Sequence, residues 1–410
     1  MSLAETFARI VGEDSPVRLI FFDGSKIGRD DAETVVEVRS PLALTYVVRS
    51  PGDLGLARAY VSGEIEIYGD IYTALRELTR IRAGSLTRRD RLDVLRAIGA
   101  RTLLTPVKPP PEEVKLRGQR HSKERDKAAI SHHYDVSNRF YEMVLGPSMA
   151  YTCAVYPREG ATLEEAQYEK FDLVCRKLGL RPGMRLLDVG CGWGGMVIHA
   201  AKRYGVKALG VTLSKQQAEY GQRAIEEAGL HGTAEVRFAD YRDVAEDGFD
   251  AISSIGLTEH IGAANLPAYF RLLSSKLRPG GRLLNHCITR PQAGDTRLDR
   301  HGFTNRYVFP DGELESIGII TTVMQDIGFE VRHVENFREH YAKTLAAWCA
   351  NLDANWDEAV HEAGIGRARV WALYMASSRL GFELNHIELH QALGVKTAGG
   401  QAMMPLRPDW

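Results

Sequence analysis

The stretch Leu186-Leu187-Asp188-Val189-Gly190-Cys191-Gly192-Trp193-Gly194-Gly195 constrains this 410-residue chain more than any other. Residues 185–189 are an apolar run that predicts a strand, and the run ends in a glycine-rich corner. A helix is predicted over 195–204, where Met196, Val197, Ile198, Ala200 and Ala201 supply apolar residues. Strand, glycine turn and helix start together make a pocket that a nucleotide-like ligand can approach closely. Gly190, Gly192 and Gly194 carry no side chains to block that approach.

The pattern downstream alternates. Strands are predicted at 208–213, 234–239, 249–255 and 282–287, another begins at 328–331, and a last one lies near 386–393. Helices are predicted at 216–228, 265–277, 338–348 and 369–382. Such alternation indicates an α/β fold around a largely parallel sheet. A dinucleotide-binding fold often ends its second strand with Asp or Glu to hold ribose hydroxyls. Here that end reads Val211-Thr212-Leu213-Ser214, which argues against NAD. Thr212 and Gln217 can still hydrogen-bond a ribose or adenosine. The third strand ends in Asp240-Tyr241. Asp240 can accept from an adenine amino group with Tyr241 packed on the ring, or Asp240 can simply cap a helix.

Two further strand ends carry reactive side chains. The fourth leads into Gly256-Leu257-Thr258-Glu259-His260, and the fifth ends Asn285-His286-Cys287-Ile288. Ligands of α/β sheets bind at this edge, so Glu259 and His286 are candidate catalytic groups. Before the corner, Met149-Ala150-Tyr151-Thr152-Cys153-Ala154-Val155-Tyr156 contains a cysteine with no neighbour in sequence to lower its pKa. His132-His133-Tyr134-Asp135 lacks the spaced partners of a metal site and reads as a segment over a ligand pocket. Thr162 and Glu165 form a capping box that opens a helix. Residues 301–310 read as an aromatic loop, either an ordinary packed one or part of an apolar channel.

The first third looks different. Strands are predicted at 17–22, 34–38, 42–48 and 64–68, and helices at 54–61, 70–83 and 88–98. This is a small α+β unit without a catalytic constellation. Pro106, Pro109, Pro110 and Pro111 mark a linker. The expected division is therefore 1–104, a linker at 105–127, and 128–410. Five cysteines without a C-x-x-C indicate neither a disulfide framework nor a zinc site, as in a reduced, cytosolic chain. No stretch approaches the roughly 20 apolar residues needed to span a bilayer, and 1–14 is not a signal peptide. Net charge is −1, yet between Arg76 and Lys127 there are 15 Lys/Arg against 7 Asp/Glu. Such a stretch suits anionic headgroups or a solvated helix face. No nucleic-acid motif accompanies it.

The glycine corner resembles that of S-adenosylmethionine-dependent methyltransferases. Taken with His133-Tyr134-Asp135, Tyr151-Thr152-Cys153-Ala154, Thr212-Leu213-Ser214, Glu259-His260 and His340-Tyr341-Ala342-Lys343-Thr344-Leu345, the chain resembles the cyclopropane-fatty-acyl-phospholipid synthase family over about residues 128 to 395. The resemblance implies a class I methyltransferase Rossmann-like seven-stranded sheet behind a smaller N-terminal α+β lipid-associating domain. It implies S-adenosylmethionine as co-substrate, near Tyr151, Thr152, Asp188, Gly190, Gly192, Gly194, Thr212, Gln217, Asp240 and Tyr241. It also implies a bound bicarbonate as base, cradled by the Cys153 and Ile288 backbone with Glu259, His286 and Tyr341. The implied setting is cytoplasmic, with a homodimer acting on unsaturated phospholipids at the inner face of the membrane. One departure stands out. Ring-forming members often carry Phe-Pro-Gly-Gly after the fifth strand, whereas this chain reads Phe309-Pro310-Asp311-Gly312. The corner alone also suits a small-molecule N- or O-methyltransferase, or a lipid-binding protein with a relic nucleotide fold.

Overall fold

Strand β5 (Arg185–Val189) is the centre from which the larger unit is built. It pairs in parallel with β6 (Lys207–Thr212) on one side and β8 (Phe249–Ile255) on the other. β7 (Ala234–Phe238) continues beyond β6, and β9 (Leu277–Thr289) beyond β8, again in parallel. β11 (Glu388–Val395) then inserts antiparallel between β9 and β10 (Glu330–Asn336). The order is β10-β11-β9-β8-β5-β6-β7. The chain moves outward from β5 to β7 and then returns to the other side of β5 at β8. The crevice at such a reversal, beyond the strand C-termini, is where sheets of this kind bind ligands.

The computed structural model describes residues 2–11, 14–80, 88–99, 106–114, 125, 136–294, 299 and 301–410. Contacts divide the chain into two units. One comprises Met1–Lys115, Asp299–Pro310 and Leu352–Leu380; the other Leu116–Leu298, Asp311–Asn351 and Gly381–Trp410. In the larger unit the period-two alternation of β5 sends Leu186 into one core cluster, with Val174, Val197 and Ala200. It sends Leu187 and Val189 into the other, with Ile252, Leu266 and Phe270. Both faces of the sheet are thus covered. The capping box of Thr162 and Glu165 forms as expected and opens helix Leu163–Leu178, which Gly179 closes in the left-handed region at φ 65°. The tail, which offers no pattern in sequence, packs Met404 and Trp410 against the first cluster.

The smaller unit has a four-stranded sheet, β2 (Lys26–Ile27), β1 (Val17–Phe21), β3 (Thr34–Val38) and β4 (Ile65–Tyr68), in that spatial order. Val17, Leu19, Phe21, Val36 and Val38 form its core. Helix Leu3–Val11, not anticipated from sequence, stacks Phe7 on Phe21 at 5.2 Å. Arg58 grips Glu113 through two hydrogen bonds of 2.8 and 2.9 Å. Arg369 reaches Glu66 at 2.6 Å. The aromatic stretch after 301 contains a short helix, Phe303–Tyr307, rather than a plain loop, and the Phe303 N–H donates to Asp53. Among the described residues no helix is long and apolar enough to cross a membrane.

One expectation is corrected. Residues 42–48 are not a strand but lie in helix Pro41–Arg49. The β-branched run suggested a strand, but Ser40 and Pro41 override it. The Ser40 hydroxyl accepts from the Leu42 N–H and Pro41 occupies the first turn, where its missing N–H costs nothing. Ser40→Ala is expected to lower stability by about 1 kcal/mol. Urea unfolding midpoints of the two proteins check this.

Candidate functional site

The corner after β5 is closed by backbone. The N–H groups of Gly190 and Cys191 both donate to the Val211 carbonyl at 3.0 Å. Gly192 and Gly194 sit at φ 53° and 84°, where side chains are strained. Their surroundings differ. A Cβ on Gly194 would lie 3.1 Å from Val236, whereas one on Gly192 would meet open space. Gly194 therefore serves packing, and Gly192 leaves room beside the turn. Asp188 is buried at the strand's end, accepts from the Ser253 hydroxyl at 2.6 Å, and is pushed up to about 6 by burial. The Thr212 hydroxyl donates to Gln217 at 2.7 Å. Asp240 holds the Arg242 guanidinium and caps the short turn Tyr241–Asp243. Tyr241 lies edge-on to Tyr269 at 5.3 Å.

Residues 150–156 are pinned from two helices. From Leu163–Leu178, Gln167 donates to the Ala150 and Thr152 carbonyls at 3.3 and 2.9 Å, and Lys170 donates to the Thr152 hydroxyl at 2.9 Å. From Arg338–Ala354, Thr344 accepts from the Ala154 N–H at 3.0 Å and the His340 Nδ1 from the Tyr156 N–H at 2.9 Å. The segment Tyr151-Thr152-Cys153-Ala154 and the motif around His340 are thus two halves of one construction. Cys153 is fully buried, and burial pushes its thiol up, so it forms wall rather than nucleophile. Lys170, also buried, is drawn down to about 7. Sequence reasoning missed Gln167, Lys170 and Lys177. Their signal was available: three long polar side chains on the apolar stripe of a helix, which must find partners when buried.

Glu259 follows the end of β8, and His286 lies near the end of the neighbouring β9. The Ile288 N–H donates to Glu259 Oε1 at 2.7 Å, which ties the carboxyl to the strand that carries His286. Glu313 donates its N–H to the Glu259 carbonyl and fixes the turn from the other side. The remaining atoms, Glu259 Oε2 and His286 Nε2, are buried without a hydrogen-bond partner among the described residues. Burial raises the Glu259 carboxyl to about 7. Burial, helped by the ammonium groups of Lys170 and Lys177, holds His286 well below its ordinary value and so neutral. The turn adjoins the glycine corner, since Leu257 would lie 3.3 Å from a Cβ on Gly190.

A row of aromatic rings runs from the glycine corner through Tyr151 to helix Arg338–Ala354 and forms an aromatic wall. Ring centroids run Trp193–Tyr141 (4.7 Å), Tyr141–Tyr151 (6.2 Å), Tyr151–Trp348 (5.4 Å), Trp348–Tyr341 (6.0 Å) and Tyr341–Phe382 (4.6 Å). The Trp193 ring is held by its N–H on Asn138 at 2.9 Å. The expected pocket segment His132-His133-Tyr134-Asp135 lies outside the described residues. Asp311 adopts φ 68°, the left-handed region, and its carboxylate takes two hydrogen bonds from Arg125. A glycine position is thereby filled by one of the few side chains that tolerate it.

This sheet order, with a glycine corner at the reversal of β5, defines an S-adenosylmethionine-dependent methyltransferase. The match is closer than that: residues 121–392 fit the mycolic acid cyclopropane synthetase family, and the chain belongs to it. It is 54% identical over 407 residues to a Mycobacterium tuberculosis protein described as "Probable fatty acid methyltransferase", with 96% of this chain and 95% of the relative covered. It is 36% identical over 272 residues to the cyclopropane-fatty-acyl-phospholipid synthase of Escherichia coli strain K12, covering 66% and 69% of the two chains. Among solved structures, mycolic acid cyclopropane synthase CmaA1 complexed with SAH and CTAB aligns at TM-score 0.62 and 33% identity. That alignment spans 66% of this chain and 98% of CmaA1.

The raised Glu259 pKa has a consequence for stability. The folded state binds the carboxyl proton more tightly than the unfolded chain, so this group disfavours the fold increasingly as pH rises from about 4.5 to about 7. Glu259→Gln, which mimics the protonated form, is expected to gain on the wild type by roughly 3 kcal/mol between pH 4 and pH 8 as an upper bound. Denaturant unfolding of both proteins at the two pH values measures this.

Proposed function

We propose that this protein transfers one carbon from S-adenosylmethionine to the cis double bond of an unsaturated phospholipid chain and closes a cyclopropane ring. The observation that carries the reading is that Glu259 Oε2 and His286 Nε2, from neighbouring strand ends, are both buried without a hydrogen-bond partner among the described residues. A simple N- or O-methyl transfer to a small molecule needs no such pair.

In the reaction, the alkene π pair forms a C–C bond to the methyl carbon as its C–S bond breaks with both electrons going to sulfur. Positive charge moves to a chain carbon. Loss of a proton from the new methyl leaves its C–H electrons to close the ring. Bicarbonate fits the chemistry of these residues, because it brings both an O–H donor and oxygen acceptors to a carboxyl oxygen and an imidazole nitrogen that lack partners among the described residues. When bound it supplies the base for that proton. Glu259 and His286, joined by Tyr341 and the backbone of Cys153 and Ile288, hold and orient it. The aromatic wall offers ring faces to the sulfonium and to the chain cation, and the buried surroundings exclude water that would quench it.

The smaller unit supports a phospholipid substrate. Cyclopropane mycolic acid synthase 1 of Mycobacterium tuberculosis covers 64% of this chain with 95% of its own length, whereas the fatty acid relative matches nearly end to end. The additional N-terminal unit, with the basic stretch after Arg76, suits docking to anionic headgroups. The proposal includes peripheral binding at the membrane and a homodimer, which vesicle flotation with and without salt and sedimentation read directly. A second reading ends the same methylation differently. A hydride shift to the cationic carbon followed by proton loss from the methyl gives a methylene branch. Asp311 in place of the family glycine and the name of the 54% relative favour keeping it.

Incubation with S-adenosylmethionine and oleoyl phospholipid vesicles is expected to add one CH2 mass per modified chain. Ozonolysis before mass spectrometry separates the products, since a ring survives and a methylene branch is cleaved. Unchanged chains would sink the proposal. Glu259→Gln is expected to lower turnover by at least about 100-fold with S-adenosylmethionine affinity by calorimetry unchanged.

A further inference from the structure

We propose that Lys177 and Gln391 form a positioning pair that fixes His286 as its Nε2–H tautomer, so that a neutral imidazole presents an N–H donor to an oxyanion in the site. This rests on the reading of the Glu259–His286 pocket as the place where an oxyanion is held.

The argument begins with a side chain that can only donate. Lys177, on helix Leu163–Leu178, is fully buried, and an ammonium group has donors and no acceptor. Its Nζ lies 2.7 Å from the Gln391 side chain. The amide atom facing it must therefore be the oxygen. The amide NH2 is then at the opposite corner, 3.2 Å from His286 Nδ1, and an amide NH2 can only donate. Nδ1 is left as the acceptor, and the single proton of a neutral imidazole sits on Nε2. That atom is buried and unpartnered among the described residues.

The chain of partners is anchored at both ends. Gln391 and His286 are direct cross-strand neighbours of β11 and β9, so the sheet ladder fixes their spacing. Burial lowers the Lys177 pKa, and Glu335 at 2.5 Å, a carboxylate that remains partly exposed, opposes that lowering; Nζ lies 5.1 Å from the Phe337 ring. With the opposite tautomer, His286 would aim a lone pair at the oxyanion, and two acceptors would face each other. Lys177, Gln391 and Glu335 contribute no group to the pocket. They act through His286.

Gln391→Glu separates this role from a structural one. The new carboxylate is nearly isosteric and keeps Lys177, now as an ion pair, but it can only accept and so requires a proton on Nδ1. Two-bond 1H–15N correlation spectra of protein labelled in histidine distinguish the ring nitrogens, with His286 identified by the signals lost in His286→Gln. In the wild type, Nε2 is expected to carry the proton and Nδ1 to be bare; in Q391E, Nδ1 is expected to be protonated. A wild-type spectrum with the proton on Nδ1 overturns the proposal whether or not Q391E folds. So does Q391E with Nδ1 still bare. Adding sodium bicarbonate is expected to shift the wild-type Nε2 resonance, and no shift would remove the donor role. Turnover of Q391E is expected to fall about 100-fold with S-adenosylmethionine affinity unchanged, and wild-type turnover with Nδ1 protonated would also overturn that role. Should the wild type fail to modify lipid, the functional proposal falls, while the spectra still decide the tautomer.

Discussion

The candidate site depends on one topological fact: the chain leaves β5 toward β7 and comes back on the other side at β8. The reversal opens a crevice at the C-terminal edge that backbone alone cannot fill. The glycine corner lines one side of it, and the turn carrying Glu259 lines the other. β9 brings His286 and Ile288 to the same edge. The antiparallel insertion of β11 then sets Gln391 opposite His286. A different order of the same strands would scatter these groups.

Burial pushes the ionisable groups there toward neutrality from both directions. Asp188 and Glu259 are raised, while Lys170, Lys177 and His286 are lowered. This suits the proposed reaction, whose charge is positive and moves from sulfur to carbon. A fixed ammonium beside it would oppose the second position; Lys177 is offset by Glu335, and Lys170 is held near 7 between the Thr152 hydroxyl and the Phe171 ring. The aromatic wall can then provide the negative ring faces.

Much of this was legible in the sequence, and the reason is periodicity. The apolar run before Gly190, the alternation after it, and the acids and imidazoles at strand ends are local patterns, and the Ile288 N–H ties Glu259 to the strand that carries His286. The residues that escaped are those whose meaning lies in a distant partner. Lys177 reads as one more surface lysine until Gln391, far along the chain, is seen to meet it. Gln167 and Lys170 sit on an apolar stripe and so require buried partners, but only the fold shows that residues 150–152 are those partners. The error at 42–48 has a different origin: intrinsic preference favoured a strand, and a two-residue start signal outweighed it.

Asp311 gives the site an asymmetry in what mutation can reach. Its left-handed backbone admits glycine freely and Asp or Asn at small strain, whereas a β-branched residue there would cost roughly 1–2 kcal/mol. Changing the side chain also removes the carboxylate that pairs with the half-buried Arg125. Substitution at this position is therefore restricted from two sides, by the backbone angle and by the ion pair with Arg125.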